Sequence, residues 1–394
     1  MLRRFLPYGY VDLADPVTYE ELRLFLSARA WSSSEGPVRL FERAALWLRE
    51  RKVLLPGVST LTRLVAEVRA GANDRLYSVL IDAAGPALIQ ELEALLRVED
   101  GSRLTGWERL RTGPSRVSVP ELLRQLDRLT RLQALGAGTI DVETVPAGRM
   151  NALARYGLAG KASALQGLSG QRRGATLLCA VRALTSEVAD DLCDALDAIV
   201  TERVVRKAAR ESTAARLKSL PRLSRASLQL AQAAKTLVEV LGNTEYSSAG
   251  AASVLAEQVS LPELRAAIDV VTELVNPDGS EGATAAEMMR RFTTVRSFLP
   301  ALASAKPFGA TAGGDPTLAA LGALPDVLDG RKTDPSQVDL SVLSPAWQRL
   351  IEAAGEIDRR AYTVAVMDAV HKALRRRDIF VVGGHRWETP EHGC

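Results

Sequence analysis

The chain has 394 residues, 47% of them hydrophobic and 25% charged, with a formal net charge of +3. That length and apolar content exclude extended disorder and call for two or more domains with cores of their own. The small positive balance, carried largely by arginine, permits a nucleic-acid partner without demanding one.

The cysteines, Cys179, Cys193 and Cys394, are too scattered for a disulfide framework and point to a reducing cytoplasm. Residues 1–10 are basic and aromatic but lack the apolar run of a signal peptide, and no stretch approaches a membrane-spanning length. A soluble protein without a membrane partner is expected.

Helical periodicity dominates, so the predicted fold is all-α, a multi-domain bundle of amphipathic helices with one short strand near the C-terminus. Asp15 before Pro16 predicts an N-cap with proline at the first helical position, opening a helix that reaches Trp31. Residues 36–52 predict a second helix with Leu40, Phe41, Ala44, Ala45 and Leu48 on its core face. Pro56-Gly57 breaks it, and Ser59 is placed to cap a third helix reaching about residue 70. The pair has the outline of a helix-turn-helix, an outline that ordinary packing units share.

Shorter helices are expected over residues 77–84, 87–96 and 105–111. Ser118-Val119-Pro120-Glu121 is a capping box with an early proline. Its helix carries Leu122, Leu126, Leu129 and Leu132 on one face and Arg124, Arg128 and Arg131 on the other. Because Glu121 and Asp127 lie among these arginines, the stripe reads equally as a binding surface and as a solvated face.

Residues 136–146 read as a loop, and residues 148–161 as two short helices around Gly157, which can end a helix in a left-handed turn. Val181, Leu184, Val188, Leu192, Leu196 and Ile199 keep helical spacing over residues 177–204, the longest amphipathic helix of the reading. Residues 203–225 then concentrate Arg203, Arg206, Lys207, Arg210, Arg216, Lys218, Arg222 and Arg225 against Glu211 alone. This strongest electrostatic footprint fits a nucleic-acid channel or an exposed surface between domains.

Capping boxes at residues 260–263 and 284–287 each predict a helix. The first is expected to bury Leu264, Ile268, Val271 and Val275, and the second Met288, Phe292, Val295, Leu299 and Leu302, with Arg290, Arg291 and Arg296 off that face. Residues 306–315 read as a glycine-rich loop and residues 329–344 as a polar connector at a domain boundary. A final helix over residues 358–377, with Tyr362, Val366, Val370 and Leu374 inward, precedes a strand at residues 379–382.

No catalytic constellation is visible. His385, His392 and Cys394 lack structural zinc spacing, and Asp190, Asp191, Asp194 and Asp197 share one helix, where they read as a solvated face. Gly309-Ala-Thr-Ala-Gly-Gly314 has no following lysine and is not a phosphate loop. No cofactor or metal is expected in this chain.

Several segments taken together resemble the Tn-three family transposases of bacterial class II replicative transposons. They are Glu50-Arg-Lys-Val-Leu-Leu-Pro-Gly-Val-Ser-Thr-Leu-Thr-Arg-Leu-Val65, Gly113-Pro-Ser-Arg-Val-Ser118, Ala154-Arg-Tyr-Gly-Leu-Ala159 and Val295-Arg-Ser-Phe-Leu-Pro-Ala301. To these are added Asp358-Arg-Arg-Ala-Tyr362 and Ala373-Leu-Arg-Arg-Arg-Asp-Ile-Phe380, and the segments occur in family order over nearly the whole chain.

The resemblance implies an N-terminal helical region that binds terminal inverted repeats and a helical dimerisation and scaffold region. An RNase H-like domain with an Asp-Asp-Glu triad would follow, its magnesium belonging to that domain. On this mapping the chain is expected to be a fragment lacking the extreme N-terminal part and the catalytic domain, and so not an enzyme by itself. The expected divisions are residues 1–34, the end of an N-terminal DNA-binding domain; 35–112 and 113–168, two helical DNA-binding regions; 169–330, dimerisation and scaffold; and 331–394, a connector and final helix.

The expected partner is double-stranded DNA of the terminal inverted repeats, with a homodimer or a dimer with full-length transposase also open, in a bacterial cytoplasm and on the nucleoid when DNA is bound. Charge and motif position nominate Lys52, Arg63, Arg111, Arg116, Arg155, Tyr156, Lys161, Arg172 and Arg173 as DNA contacts. Tyr156 serves equally well as a half-buried packing residue. The alternative function is a helical interaction protein that dimerises with or titrates a full-length transposase without binding DNA.

Overall fold

A computed structural model describes residues 9–33, 35–98, 101–242, 248–274, 279–352 and 355–387. The chain forms two compact units: Met1–Pro114, Asp127–Asp191 and Gly383–His385 make the first, and Ser115–Leu126, Leu192–Val382 and Arg386–Cys394 the second. Among the described residues the regular structure is helical apart from one two-stranded sheet and isolated bridges, and no helix is long and apolar enough to cross a membrane.

In the first unit, α1 (Pro16–Ser32) starts as its sequence dictates, with the Asp15 carboxylate accepting the Thr18 N–H at 2.9 Å. α2 (Pro37–Glu50) buries Leu40, Ala44, Trp47 and Leu48, Phe41 packing partly against the same core. α3 (Val58–Ala94) is far longer than its sequence suggests. Gly57, and not Ser59, stands at its N-cap, and the helix passes through Gly71 to break at Gly85 (φ 74°, ψ 163°). Pro86 explains that break, since it has no N–H to donate and drives the preceding residue out of helical geometry. Leu22, Leu26, Leu48, Leu61, Leu64 and Val65 form the shared core of α1–α3.

α4 (Gly106–Arg111) carries a full capping box between Thr105 and Glu108. α5 (Val119–Ala134) buries all four predicted leucines, but its arginines do not form one open stripe. Arg124 pairs with Glu121 at 2.5 Å and Arg131 with Asp127 at 3.0 Å, while Arg128 is buried and donates to the Leu110 carbonyl. α6 (Ala147–Ala159) runs straight through Gly157, correcting the expected break. There a Cβ would lie 2.7 Å from the Ala180 Cβ and 3.1 Å from Thr176 Cγ2, so the missing side chain serves a close helix approach. α7 (Ala162–Gln166) follows, then α8 (Gly170–Ile199), which starts earlier than predicted.

In the second unit, α8 continues through a π-helical turn (Val200–Val205) into α9 (Arg206–Gly242). α10 (Ser248–Gln258), α11 (Leu261–Leu274) and α12 (Gly279–Met289) pack on α9. α11 buries Ala267 and leaves Ile268 exposed, so its inward face is turned from the predicted one; Val275 lies outside the described residues. Thr284 sits inside α12 and not at its start, because the residues before it already continue the helix. The short helices α13 (Phe292–Arg296) and α14 (Leu299–Ala305) bury Val295, Leu299 and Leu302 as expected.

α15 (Asp315–Leu328), α16 (Pro345–Glu352) and α17 (Arg359–Arg376) complete the unit, α17 packing against α13, α15 and α16. α17 is buried on nearly every side, beyond the single predicted face. The Tyr362 hydroxyl donates to the Ala320 carbonyl at 2.9 Å, and His371 Nε2 lies 2.9 Å from Asp197 Oδ1. Strand β2 (Ile379–Val381) is where the sequence predicts a strand. Its antiparallel partner β1 (Phe308–Ala310) comes from the glycine-rich loop, where a Cβ on Gly314 would collide with the Asp378 carbonyl oxygen.

A candidate nucleic-acid interface

Most arginines of the first unit that look free in the sequence are tied into the fold. A guanidinium offers five N–H donors in a plane, and the last carbonyls of a helix have no partners within it, so the two are matched in geometry and charge. Arg111 donates to the carbonyls of Leu158 and Gly160 at the end of α6. Arg182 gathers those of Ala137, Gly138 and Ile140, and Arg173 binds the Glu93 carboxylate at 2.7 Å and the carbonyls of Gln166 and Leu168.

Arg149 of α6 belongs to this class and also forms part of a cleft. It is 8% exposed, donates to Ala30 O in the last turn of α1, and reaches Asn73 Oδ1 on α3 at 2.6 Å. Burial lowers its pKa from the ordinary guanidinium value, with Tyr77 opposing and nearby Arg69 adding to the shift. Arg149, Arg69, Asn73, Tyr156, Arg172 and Glu35 are among the residues lining a cleft of about 230 Å³. Tyr156 is 46% exposed, and the Arg172 guanidinium sits over its ring, 5.3 Å from the centroid. Trp31, which lines a separate pocket with Arg75, has Arg75 at 4.2 Å and Arg149 at 5.6 Å from its ring centroid.

No carboxylate among the described residues lies within ion-pair distance of Arg69, Arg149 or Arg172. Glu35, on the cleft wall, is engaged by Arg29 and Arg43, each at 3.6 Å. The arrangement therefore presents cationic donors and an aromatic ring together, which suits phosphate oxygens and stacked or edge-on bases.

Of the nine residues nominated from the sequence, Tyr156 and Arg172 meet at this cleft. Arg155 is exposed on the same helix, its Nε 3.3 Å from Asn151 O. Lys52 closes the loop after α2 with left-handed backbone (φ 54°), its carbonyl accepting from Val11 and its side chain exposed. Arg63 is exposed early on α3, Lys161 is exposed at the N-cap of α7, and Arg116 is exposed in the second unit. Arg111 and Arg173 direct their donors inward.

Sequence reading missed Arg69, Asn73 and Arg149. Arg69, Asn73 and Leu76 follow one another at the spacing of a single helix face, a signal that was available had α3 been read to its full length. Nothing local distinguishes Arg149. The aspartates of α8 are not a solvated face: Asp190 is buried and accepts from the His385 N–H, while Asp194 accepts from Trp387 Nε1 at 2.9 Å. Burial pushes the Cys179 thiol up to about 12, which leaves it inert at neutral pH. Among the described residues no group of three His, Cys, Asp or Glu side chains is placed to hold a metal ion; His392 and Cys394 lie outside them.

A family model described as a domain of unknown function, DUF4158, matches residues 6–68. The chain is 36% identical over 312 residues to the transposase for transposon Tn4556 of Streptomyces fradiae, an alignment covering 74% of this chain and 35% of that protein. It is 31% identical over 384 residues to the transposase for transposon gamma-delta of Escherichia coli strain K12, covering 97% of this chain and 38% of the relative. With the transposase for transposon Tn501 of Pseudomonas aeruginosa the identity is 25% over 391 residues, 98% of this chain and 38% of the relative. The chain thus spans well under half the length of these relatives.

Proposed function

Because the homologues of this chain are Tn-three family transposases, we propose that its transposase-related role is to hold duplex DNA at the ends of a transposon through the first unit. The single observation that carries this reading is the cleft, where Arg69, Arg149 and Arg172 stand together without a carboxylate partner beside Asn73 and Tyr156. Arginines there neutralise backbone phosphates, and the exposed faces of α3 and α6 supply the polar groups that read base edges. Strand cleavage and joining are not assigned to this chain. Asp190, Asp194 and Asp197 of α8 are hydrogen-bonded to the His385 N–H, Trp387 Nε1 and His371 Nε2.

The test is fluorescence anisotropy with a labelled transposon-end duplex and a scrambled duplex of the same length, each over a range of salt. The reading expects the end duplex to bind at least ~10³-fold more tightly than the scrambled one, with affinity falling steeply as salt rises. Equal, salt-insensitive affinity for both overturns it.

A second reading rests on a different observation. The second unit presents an apolar groove of about 600 Å³ between α9, α10 and α11, lined among others by Leu230, Leu237, Leu255, Val259, Leu261 and Leu264. Apolar surface of this kind supports a helical interaction protein that pairs with itself or with a longer transposase. Sedimentation at several concentrations, with and without the duplex, separates the readings: self-association without DNA binding favours the second.

A further inference from the structure

The cleft of the first unit is more specific than a basic surface. Its most buried arginine, Arg149, is held by Ala30 O and Asn73 Oδ1, yet its buried Nε has no hydrogen-bond partner among the described residues. A buried donor left without an acceptor is costly, and native folds rarely leave one unanswered. Arg69 and Arg172 differ from it: both are exposed, and neither has a carboxylate within ion-pair distance among the described residues. One buried guanidinium and two exposed ones thus line a cleft of about 230 Å³.

We infer that this cleft is a seat for a single phosphate group, with Arg149 as its fixed floor and Arg69 and Arg172 as arms that close on the outer oxygens. Tetrahedral phosphate offers several acceptor oxygens, so it can engage forks from three directions, as a planar carboxylate cannot. The Asn73 side-chain amide keeps its N–H donors beyond the contact of its Oδ1 with Arg149, and Tyr156 also lines the cleft.

Burial first, and Arg69 to a smaller extent, lower the pKa of Arg149. Glu35 on the cleft wall meets Arg29 and Arg43 through Oε1 at 3.6 Å each, and its buried Oε2 has no hydrogen-bond partner among the described residues. Since Arg149 bridges the end of α1 to α3 from α6, occupancy of the seat also tightens the junction of three helices.

The seat rests on the DNA reading only for its occupant, which is then a backbone phosphodiester; a free phosphate has the same chemistry. The experiment uses the full 394-residue chain and measures melting temperature with inorganic pyrophosphate at constant ionic strength, with sodium chloride as the control. The same samples are then titrated with end duplex. Wild type is compared with the Arg69→Gln/Arg172→Gln double variant, both positions being exposed, and with Arg149→Lys, which keeps the charge and loses the fork.

Pyrophosphate is expected to raise the wild-type melting temperature by roughly 2–5 °C, the double variant to lose that rise, and Arg149→Lys to lose most of it. With duplex, the double variant should bind ~10-fold or more weakly, with a log–log salt slope shallower by about one, the share of a single phosphate. A pyrophosphate shift that survives in the double variant, or that chloride reproduces, overturns the seat whether or not DNA binds. If the shift is real and lost in the variant while wild type binds no duplex, the seat stands with a free phosphate compound of the pyrophosphate kind as its occupant and the DNA reading falls. If duplex binds both proteins with one slope, the DNA backbone does not occupy the seat.

Discussion

The α1–α3 bundle and the α9–α11 bundle are built from similar residues and spend them differently. In the first, leucines at helical spacing meet one another in a closed core, and arginines of the same unit, Arg149 above all, cap helix ends. In the second, Leu217, Leu220, Leu228, Leu237 and Leu241 are exposed along α9, and Lys207, Arg210, Lys218 and Arg225 have no ion-pair partner among the described residues. Identical side chains are thus structural in one place and available in the other, and what decides is whether a neighbouring helix brings a complementary face or a carbonyl end within reach.

The largest effect should fall on the core that closes. Leu26 is 0% exposed, and Leu26→Ala should cost about 2–5 kcal/mol in chemical denaturation. Leu228, 60% exposed on α9, should change stability by no more than about 0.5 kcal/mol when cut to alanine. Comparable losses at the two sites would erase the distinction.

The arginines should divide in the same way. Arg149→Ala leaves Ala30 O and Asn73 without their donor and should cost about 2–3 kcal/mol, whereas Arg225→Ala should be nearly neutral in the same melts. Gly157→Ala comes next. The intrinsic helical preference for alanine is about 1 kcal/mol, but a Cβ 2.7 Å from Ala180 should reverse its sign to a net loss of about 1–2 kcal/mol.

The smallest effect is a pH-dependent one. The Thr105 backbone N–H, and then its hydroxyl, hold Glu108 below its ordinary value of 4.5. Its capping contribution is therefore present above that value and lost as pH falls through the lower folded value. Melts of wild type and Glu108→Gln should differ near neutrality and converge in acid.

What was legible in the sequence follows from the range of the forces involved. The cap at Asp15 and the leucines of α5 are set by contacts within four residues, and they stand where their spacing puts them. The fate of an arginine is set across the fold: Arg149 and Ala30 are 119 positions apart, and Arg111 and Leu158 are 47 apart. Gly157 has the composition of a helix end, but its role is fixed by Ala180 and Thr176 on another helix. The same distance hides most of the cleft, of which only Tyr156 and Arg172 were visible from local charge and motif position. The glycine-rich loop conceals a strand for a comparable reason, since β1 is defined by its pairing with β2, about 70 residues later.

Hydrogen exchange of the full chain with and without a transposon-end duplex tests the central claim most directly. If the first unit holds the DNA, amide protection should concentrate at the end of α1, along α3 around Arg69 and Asn73, and at the exposed turns of α6 bearing Arg155 and Tyr156. Protection confined to α9–α11, with those segments unchanged, would contradict the account.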